Sequence, residues 1–375
     1  MGPLNGLNVI EMAGIGPAPF AGMMLSDMGA DVLRIDRKAA ADAGSFERVK
    51  APNYVDRGRR SVAIDLKAPE GAALALDLIA GADAVIEGFR PGVMERLGLG
   101  PDVCLARNPK LVFGRVTGWG QSGPLSPTAG HDINYIALTG VLHAIGASAA
   151  PTPPLNLIGD FAGGAMMLAF GVMCALWEAG RSGRGQVVDA AMTDGVSTLA
   201  AMIHGFRAAG MWRDARAANL LDGGAPFYRA YACADGQFVA VGALEPQFYA
   251  ALLRGLSIGE AELPDRWKPE NWPTIAARFA AAFAGKSRDA WAGIFAATDA
   301  CVTPVLTLAE APAHPHNVAR AAFSGQEPSP APRFSATPGA IAGPPVTPGS
   351  GGEAALRARG IAPERIAALR ARGAL

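Results

Sequence analysis

Along the first 120 residues, short β-type runs alternate with longer helical stretches. Leu7–Met12, Asp31–Asp36, Ser61–Asp65, Ala84–Glu87 and a run around Leu111–Val116 carry the strand signal, with Pro19–Met28 and Pro69–Ala80 as helices between them. Repeated strand-helix-strand units predict a parallel sheet with helices on its faces, an α/β fold. From Asp160 to about Gly210 the pattern turns mainly helical, interrupted at Arg181–Gly185 by a turn of glycines and solvated arginines. Phe161–Trp177 is uncharged between Asp160 and Glu178. Rich in Ala and Gly and short for a span of about 20 residues, it predicts a buried core helix and not a membrane segment. A different rhythm follows. Phe227–Tyr231 and Gln237–Val241 flank the hairpin signal Asp235-Gly236, and amphipathic helices then run to about Ala311, which predicts a second, smaller α+β domain. Gly325–Gly352 holds seven prolines and predicts an extended tether before a last helix over about Pro363–Arg372.

Half of the 375 residues are apolar and 18% are charged, which allows a large core and excludes global disorder or a long coiled coil. The 33 basic and 33 acidic residues cancel, so no overall field draws the chain to nucleic acid or an anionic membrane. An anionic ligand must be met by local clusters. Cys104, Cys174, Cys233 and Cys301 lie far apart and never form CxxC, which argues against a zinc site and a secreted disulfide framework and favours a reducing compartment. Met1–Ile10 lacks the basic flank and apolar stretch of a signal peptide.

Gly14-Ile15-Gly16 follows a strand and precedes a helix, and Asp36 ends the next strand, imitating a dinucleotide-binding fingerprint. Pro19 stands where the third glycine belongs, and Pro17 and Pro19 remove N–H donors that a pyrophosphate needs at the helix start. The pattern therefore argues against NAD or FAD. Cations recur a little further on. Arg37 and Lys38 follow one strand, Lys67 another, and Arg90 and Arg96 a third, while Arg48, Lys50, Arg57, Arg59 and Arg60 crowd a single loop. In open α/β sheets ligands bind beyond the C-terminal strand ends, so the recurrence suits a phosphorylated ligand. Taken singly, each of these residues reads equally well as solvated surface.

Proton-transfer candidates are few. His131 and Asp132 lie in the polar stretch Ala129–Tyr135, and a histidine with an ordinary pKa near 6.5 serves either as acid and base or as a helix cap. Asp160 directly precedes the apolar helix; it reads as an ordinary N-cap, or as a carboxylate beside free backbone N–H groups that could stabilise an oxyanion. Glu245 opens a helix of the second domain and reads most simply as a first-turn glutamate. HExxH, GxSxG, Walker and EF-hand patterns are absent, and His314 and His316 sit in a Pro-rich turn, so no metal site is predicted.

Over nearly its whole length the chain resembles the class III CoA-transferase family. The resemblance rests on Gly6–Glu11, Gly29–Asp36, Phe89-Arg90-Pro91-Gly92 with Leu97-Gly98, Thr117–Gln121, Gly130–Tyr135, Leu157–Asp160, Gly183–Gln186 and Asp222–Pro226, in that order. It implies a Rossmann-like parallel-sheet large domain that binds CoA over residues 1–190, completed by a returning segment over 325–375, connecting helices over 191–221 and a smaller α+β domain over 222–324. It also implies a homodimer of two chains interlocked like links of a ring, and CoA contacts at Arg37, Asp65, Leu66, Lys67, Arg90, Arg96 and Tyr135. CoA arrives as part of the substrate and no separate cofactor is implied. The chain ends Arg372-Gly373-Ala374-Leu375 without a peroxisomal tripeptide, so a cytoplasmic location is expected.

In transferases of the family the aspartate matching Asp160 attacks a thioester as a nucleophile. Racemase-like members carry a histidine at the position of His131 and a glutamate at that of Glu245, and Gly242–Tyr249 resembles them throughout. This implies inversion of the α-carbon of a 2-methyl-branched acyl-CoA, with His131 and Asp160 as opposed acid/base groups, Glu245 and Asp132 adjusting His131, and N–H groups following Asp160 holding the enolate oxygen. Glu245 is expected to reach His131 from the partner chain. Met192, Met202 and Met211 could offer the acyl chain a flexible surface or simply pack the core. A CoA transferase using Asp160 as nucleophile and a non-catalytic acyl-CoA-binding protein are the competing expectations.

Overall fold

The computed structural model describes residues 2–38 and 53–375, so the basic residues Arg48 and Lys50 lie outside the described part. The described residues divide into two compact units. The first comprises Met1–Thr139, Leu155–Leu199 and Phe323–Leu375; the second comprises Gly140–Pro154 and Ala200–Ala322.

In the first unit β1 (Asn8–Met12), β2 (Asp31–Arg37), β3 (Arg60–Ile64), β4 (Ala84–Glu87), β5 (Val112–Thr117) and β6 (Val187–Ala191) form one parallel sheet in the order β3-β2-β1-β4-β5-β6. Side chains alternate across it with the strand period of two. Ile10, Leu33 and Val85 point to one face, packed by Leu74, Leu78 and Ile79 of the helix Pro69–Ala80 and by Leu356, Ile366 and Leu369 of the C-terminal segment. Val9, Val32 and Ile86 point to the other, covered by Ala18, Ala21 and Leu25 of the helix Pro17–Asp27 and by Leu168 and Val172. The mainly helical reading of 160–210 needs one correction, because β6 interrupts it. Gly185 explains the entry of that strand: a Cβ there would lie 1.9 Å from the Leu111 carbonyl oxygen, so only glycine lets the chain pass so close beside β5.

The edge strand β3 is not left open. Gly349 N–H donates to Ser61 Oγ at 2.7 Å, Gly58 N–H to the Gly343 carbonyl at 3.0 Å and Asp65 N–H to the Ala374 carbonyl at 2.9 Å, so the Pro-rich segment and the residues after it are fastened beside the edge and cover it.

Leu157–Ser182 is a continuous helical stretch of 26 residues, long and apolar enough by composition to cross a membrane. It packs on the sheet through Leu168, Ala169, Val172, Ala175 and Ala179, and it leaves Met166, Phe170, Met173 and Trp177 exposed along the opposite side.

In the second unit β7 (Tyr228–Ala232) and β8 (Phe238–Gly242) form an antiparallel hairpin whose turn contains Gly236 at φ +75°, and β9 (Val302–Pro304) adds a third strand beside β8. Helices Pro246–Leu256, Trp272–Phe283 and Arg288–Phe295 pack an aromatic core of Phe227, Tyr231, Phe279, Phe283, Trp291 and Phe295. The excursion Gly140–Pro154 is fastened to this unit by Arg216, whose guanidinium donates to the carbonyls of His143, Ala147 and Ser148.

Candidate active site

Strand order reverses between β1 and β4, so the crevice beyond their C-terminal ends is where a sheet of this topology accommodates ligands. The loops after β1 and β4 border it. In the first of these, Gly16 adopts φ +72°, and a Cβ built there would stand 3.2 Å from Asp160 Oδ2 and 3.4 Å from its Cγ. The glycine pair that imitates a nucleotide fingerprint thus backs a carboxylate.

His131 occupies the N-cap position of the helix Asp132–Leu138, its N–H donating to Asn134 Oδ1 at 3.0 Å, and the residue is exposed. Tyr135, one turn later, fixes the backbone ahead of it. A Cβ at Gly118 or Gly130 would fall 2.0 or 2.6 Å from the Tyr135 ring, Trp119 meets that ring edge-on at 4.7 Å, and the phenol donates to the Gly130 carbonyl. Asp132 is only 6% exposed, and its Oδ2 accepts the backbone N–H of Asp160 at 2.7 Å. Gly159 makes this approach possible, since a Cβ on it would lie 2.5 Å from the same Oδ2.

Asp160 is not the N-cap. The helix begins at Leu157 as a π-helical segment, Leu157–Met166, with Asn156 in the cap position and Asp160 as its fourth residue. A π-helix bonds each N–H to the carbonyl five residues back, so the N–H groups of its first residues lack intrahelical acceptors. They precede and include that of Asp160, and Asp132 already takes one of them. The expectation of free N–H groups following Asp160 is corrected accordingly. Burial pushes the Asp160 carboxyl above its usual range, opposed by a hydrogen bond from Asn156 Nδ2 at 3.2 Å, reinforced by the charge of Asp132, and opposed again by that of His131. Imidazole and carboxyl therefore share one electrostatic neighbourhood.

The expected CoA contacts share one edge of the sheet. Arg37 ends β2, Asp65, Leu66 and Lys67 follow β3, and Arg90 and Arg96 follow β4; the parallel sheet sends all three ends the same way, and Arg37, Lys67, Arg90 and Arg96 are exposed. Asp65 Oδ1 accepts the Lys67 N–H at 3.0 Å, which shapes that loop, and Leu66 packs on the core. Glu87, fully buried, accepts the Phe89 N–H at 2.6 Å and the Arg115 Nε–H at 2.8 Å, and so orients the loop that carries Arg90. Tyr135 differs from the arginines: at 8% exposure with its phenol engaged, it offers a ligand little more than a ring edge.

The basic run at 48–60 is spent internally where it is described. Arg57 donates to both oxygens of Asp27 and to Glu327, Arg59 stands 3.2 Å from Glu11 and donates to the Pro19 and Val55 carbonyls, and Arg60 grips Asp31. Arg57 and Arg59 are buried in these pairings, whereas the Arg60–Asp31 pair is exposed at the surface. Met192 is buried against the π-helical segment near Gly164, whereas Met202 and Met211 are exposed in the second unit. Glu245, also in the second unit, is exposed at the N-cap position of Pro246–Leu256, and its side chain does not cap that helix. Asn156 and Gly16 adjoin the Asp160 carboxyl and Gly159 adjoins that of Asp132, three placements that the sequence pattern did not single out.

A family model for CoA-transferase family III matches residues 4–352. The chain belongs to that family. It is 48% identical to the mouse (Mus musculus) alpha-methylacyl-CoA racemase over 341 residues, covering 89% of this chain and 87% of the relative, and 46% identical to the human (Homo sapiens) alpha-methylacyl-CoA racemase over the same shares. A crystal structure of a CaiB/BaiF family protein from Brucella suis superposes with a TM-score of 0.81 at 25% identity, covering 95% of this chain and 99% of that one.

Proposed function

We propose that this family III member is a racemase that inverts the α-carbon of 2-methyl-branched acyl-CoA thioesters by proton transfer through an enolate. One observation carries the reading: Asp132, the residue after His131, accepts the Asp160 backbone N–H at 2.7 Å, which ties the turn bearing the imidazole to the residue bearing the carboxyl. The likeness to two alpha-methylacyl-CoA racemases supports the same choice. Inversion needs removal of the α-proton from one face and return of a proton to the other. Two acid/base groups suffice. In one direction the Asp160 carboxylate takes the proton while imidazolium His131 gives one; in the other the starting protonation states are exchanged. Burial raises the basicity of the Asp160 carboxylate, which makes it a better proton acceptor when it is the base. Charge developing on the thioester oxygen is met by N–H groups at the π-helix start that Asp132 does not occupy. The diphosphate of CoA is met by the cations at the ends of β2, β3 and β4.

The active form in this reading is a homodimer in which Glu245 reaches His131 from the partner subunit. The exposed apolar row Met166, Phe170, Met173 and Trp177 supports burial against a second chain. Co-folding a His131→Ala chain with a Glu245→Ala chain should then restore part of the activity that each homodimer lacks; no recovery in a proven heterodimer excludes the in-trans arrangement.

The decisive assay is 2-methylacyl-CoA in deuterated water with no second acid present. Deuterium should enter the α-carbon as stereochemical purity is lost, because both pass through one deprotonated intermediate. CoA transfer to an added acid with the α-centre retained would assign the chain to the transferases instead.

A further inference from the structure

Arg266 is buried at 8% exposure, yet among the described residues no carboxylate lies within ion-pair distance of it. Three aromatic rings hold it instead. Its guanidinium carbon stands 4.9 Å from the Phe227 ring centroid, 4.2 Å from that of Tyr249 and 4.4 Å from that of Trp267. A guanidinium stacked on such faces keeps its charge in a partly desolvated place through the ring quadrupoles, a device open to a planar cation and much less so to a compact ammonium. The box is itself anchored, since the Trp272 indole donates to the Arg266 carbonyl at 2.8 Å.

What the guanidinium does there is specific. Its Nη1 donates to the Ala243 carbonyl at 3.2 Å, two residues before Glu245. Ala243 is fully buried, and Gly242 N–H is tied to the Cys301 carbonyl at 2.9 Å, so this hydrogen bond fixes the last turn of backbone before the helix Pro246–Leu256. Tyr249 lies four residues after Glu245, in the first turn of that helix, where it is buried, and its N–H bonds the Glu245 carbonyl at 2.9 Å. Arg266 therefore holds the segment bearing Glu245 from both sides, by the carbonyl before it and by the ring one turn after it. Its charge also interacts through space with those of Glu260 and Glu245.

We propose that Arg266 is a positioning residue for Glu245: boxed by Phe227, Tyr249 and Trp267, it sets where the backbone places the Glu245 carboxylate. The proposal rests on the reading in which Glu245 serves the reaction. It assigns Arg266 no contact with substrate.

The test is a double-mutant cycle on the full-length protein, reading kcat and KM for racemisation of 2-methylacyl-CoA, with circular dichroism and melting temperature on every variant. Arg266→Met should lower kcat on the order of tenfold to a hundredfold at unchanged KM, the scale of misplacing a group by about 1 Å. In a Glu245→Gln background the same change should cost less than about twofold, because the residue it acts through is already disabled. Arg266→Lys, which keeps the charge but loses the planar fork, should fall between the two and serves as the variant of record if Arg266→Met does not fold. Equal losses in both backgrounds, a loss confined to KM, or full kcat in folded Arg266→Met each overturn the proposal. Unchanged activity in Glu245→Gln alone overturns the underlying reading, an outcome separable from the others because it involves no change at Arg266.

Discussion

Asp132 Oδ2 accepts the backbone N–H of Asp160 at 2.7 Å, joining the residue beside the imidazole to the residue that carries the half-buried carboxyl. Because Gly159 leaves room for that contact, Gly159→Ala should break it without touching either acid/base group. We expect racemisation to fall on the order of tenfold to a hundredfold with the fold retained. Steady-state rates beside a melting curve decide this, and unchanged rates would show the tether to be dispensable.

Asn156 is one lever on the carboxyl. Its amide donates to Asp160 Oδ2 at 3.2 Å and favours the ionised form, against burial, which favours the neutral one. Asn156→Ala removes the stabilisation of the charge and should move the carboxyl further upward. In the direction where Asp160 acts as base, the acid limb of kcat/KM should therefore shift to higher pH. A pH–rate profile for each enantiomer checks the sign, and a shift to lower pH would contradict it.

Charge reversal at Arg90 or Arg96 tests the cationic edge. Both residues are exposed, so Arg90→Glu and Arg96→Glu should leave the melting temperature almost unchanged while weakening CoA binding on the order of tenfold or more each. Titration calorimetry with CoA at two salt concentrations measures the effect, and equal affinity in both variants would return these arginines to plain surface.

Glu11 makes a separate claim on stability. It is fully buried in β1 beside Arg59, and burial lifts its carboxyl from 4.5 to about 7 against the pull of Arg59 and Arg34. The native state thus holds a proton that the unfolded chain releases, and the stability gained from the neutral carboxyl is present below about pH 4.5 and lost as pH rises through about 7. Glu11→Gln should flatten this part of the stability curve, a difference on the order of 1–3 kcal/mol between the ends of the window. Denaturant melts from pH 4.5 to 8 would show an unaltered slope if Glu11 were not its source.

Much of the first unit was legible because its elements are bounded by local signals. The helix Pro69–Ala80 and the strand Ala84–Glu87 fall where a proline start and an apolar run placed them. β6 was not legible, since Val187–Ala191 passes directly into the helix Met192–Leu199 without a turn between them, and its pairing with β5 is a tertiary fact. β9 spans only Val302–Pro304, too short to show a period. In the site, His131 and Asp160 could be chosen by residue type, but the π-helical start at Leu157 has no periodic signature that would have moved the cap from Asp160 to Asn156. Arg57 and Arg59 looked like ligand cations because the carboxylates they pair with, Asp27 and Glu11, are distant in sequence.

The close approach of Gly16 to the Asp160 carboxyl has an electrostatic corollary. In dinucleotide-binding folds the turn after the first strand is an anion cradle, with free N–H groups turned toward a phosphate. Here Pro17 and Pro19 withdraw donors from the helix that follows, and the turn faces an acid of the protein's own. Whenever Asp160 is ionised, a phosphate entering at this turn would meet repulsion at short range with little to offset it. The turn that cradles phosphate in dinucleotide-binding sheets is thereby made unfavourable to phosphate, and a phosphorylated ligand is left to find its cations along the flank of the sheet, at the ends of β2, β3 and β4.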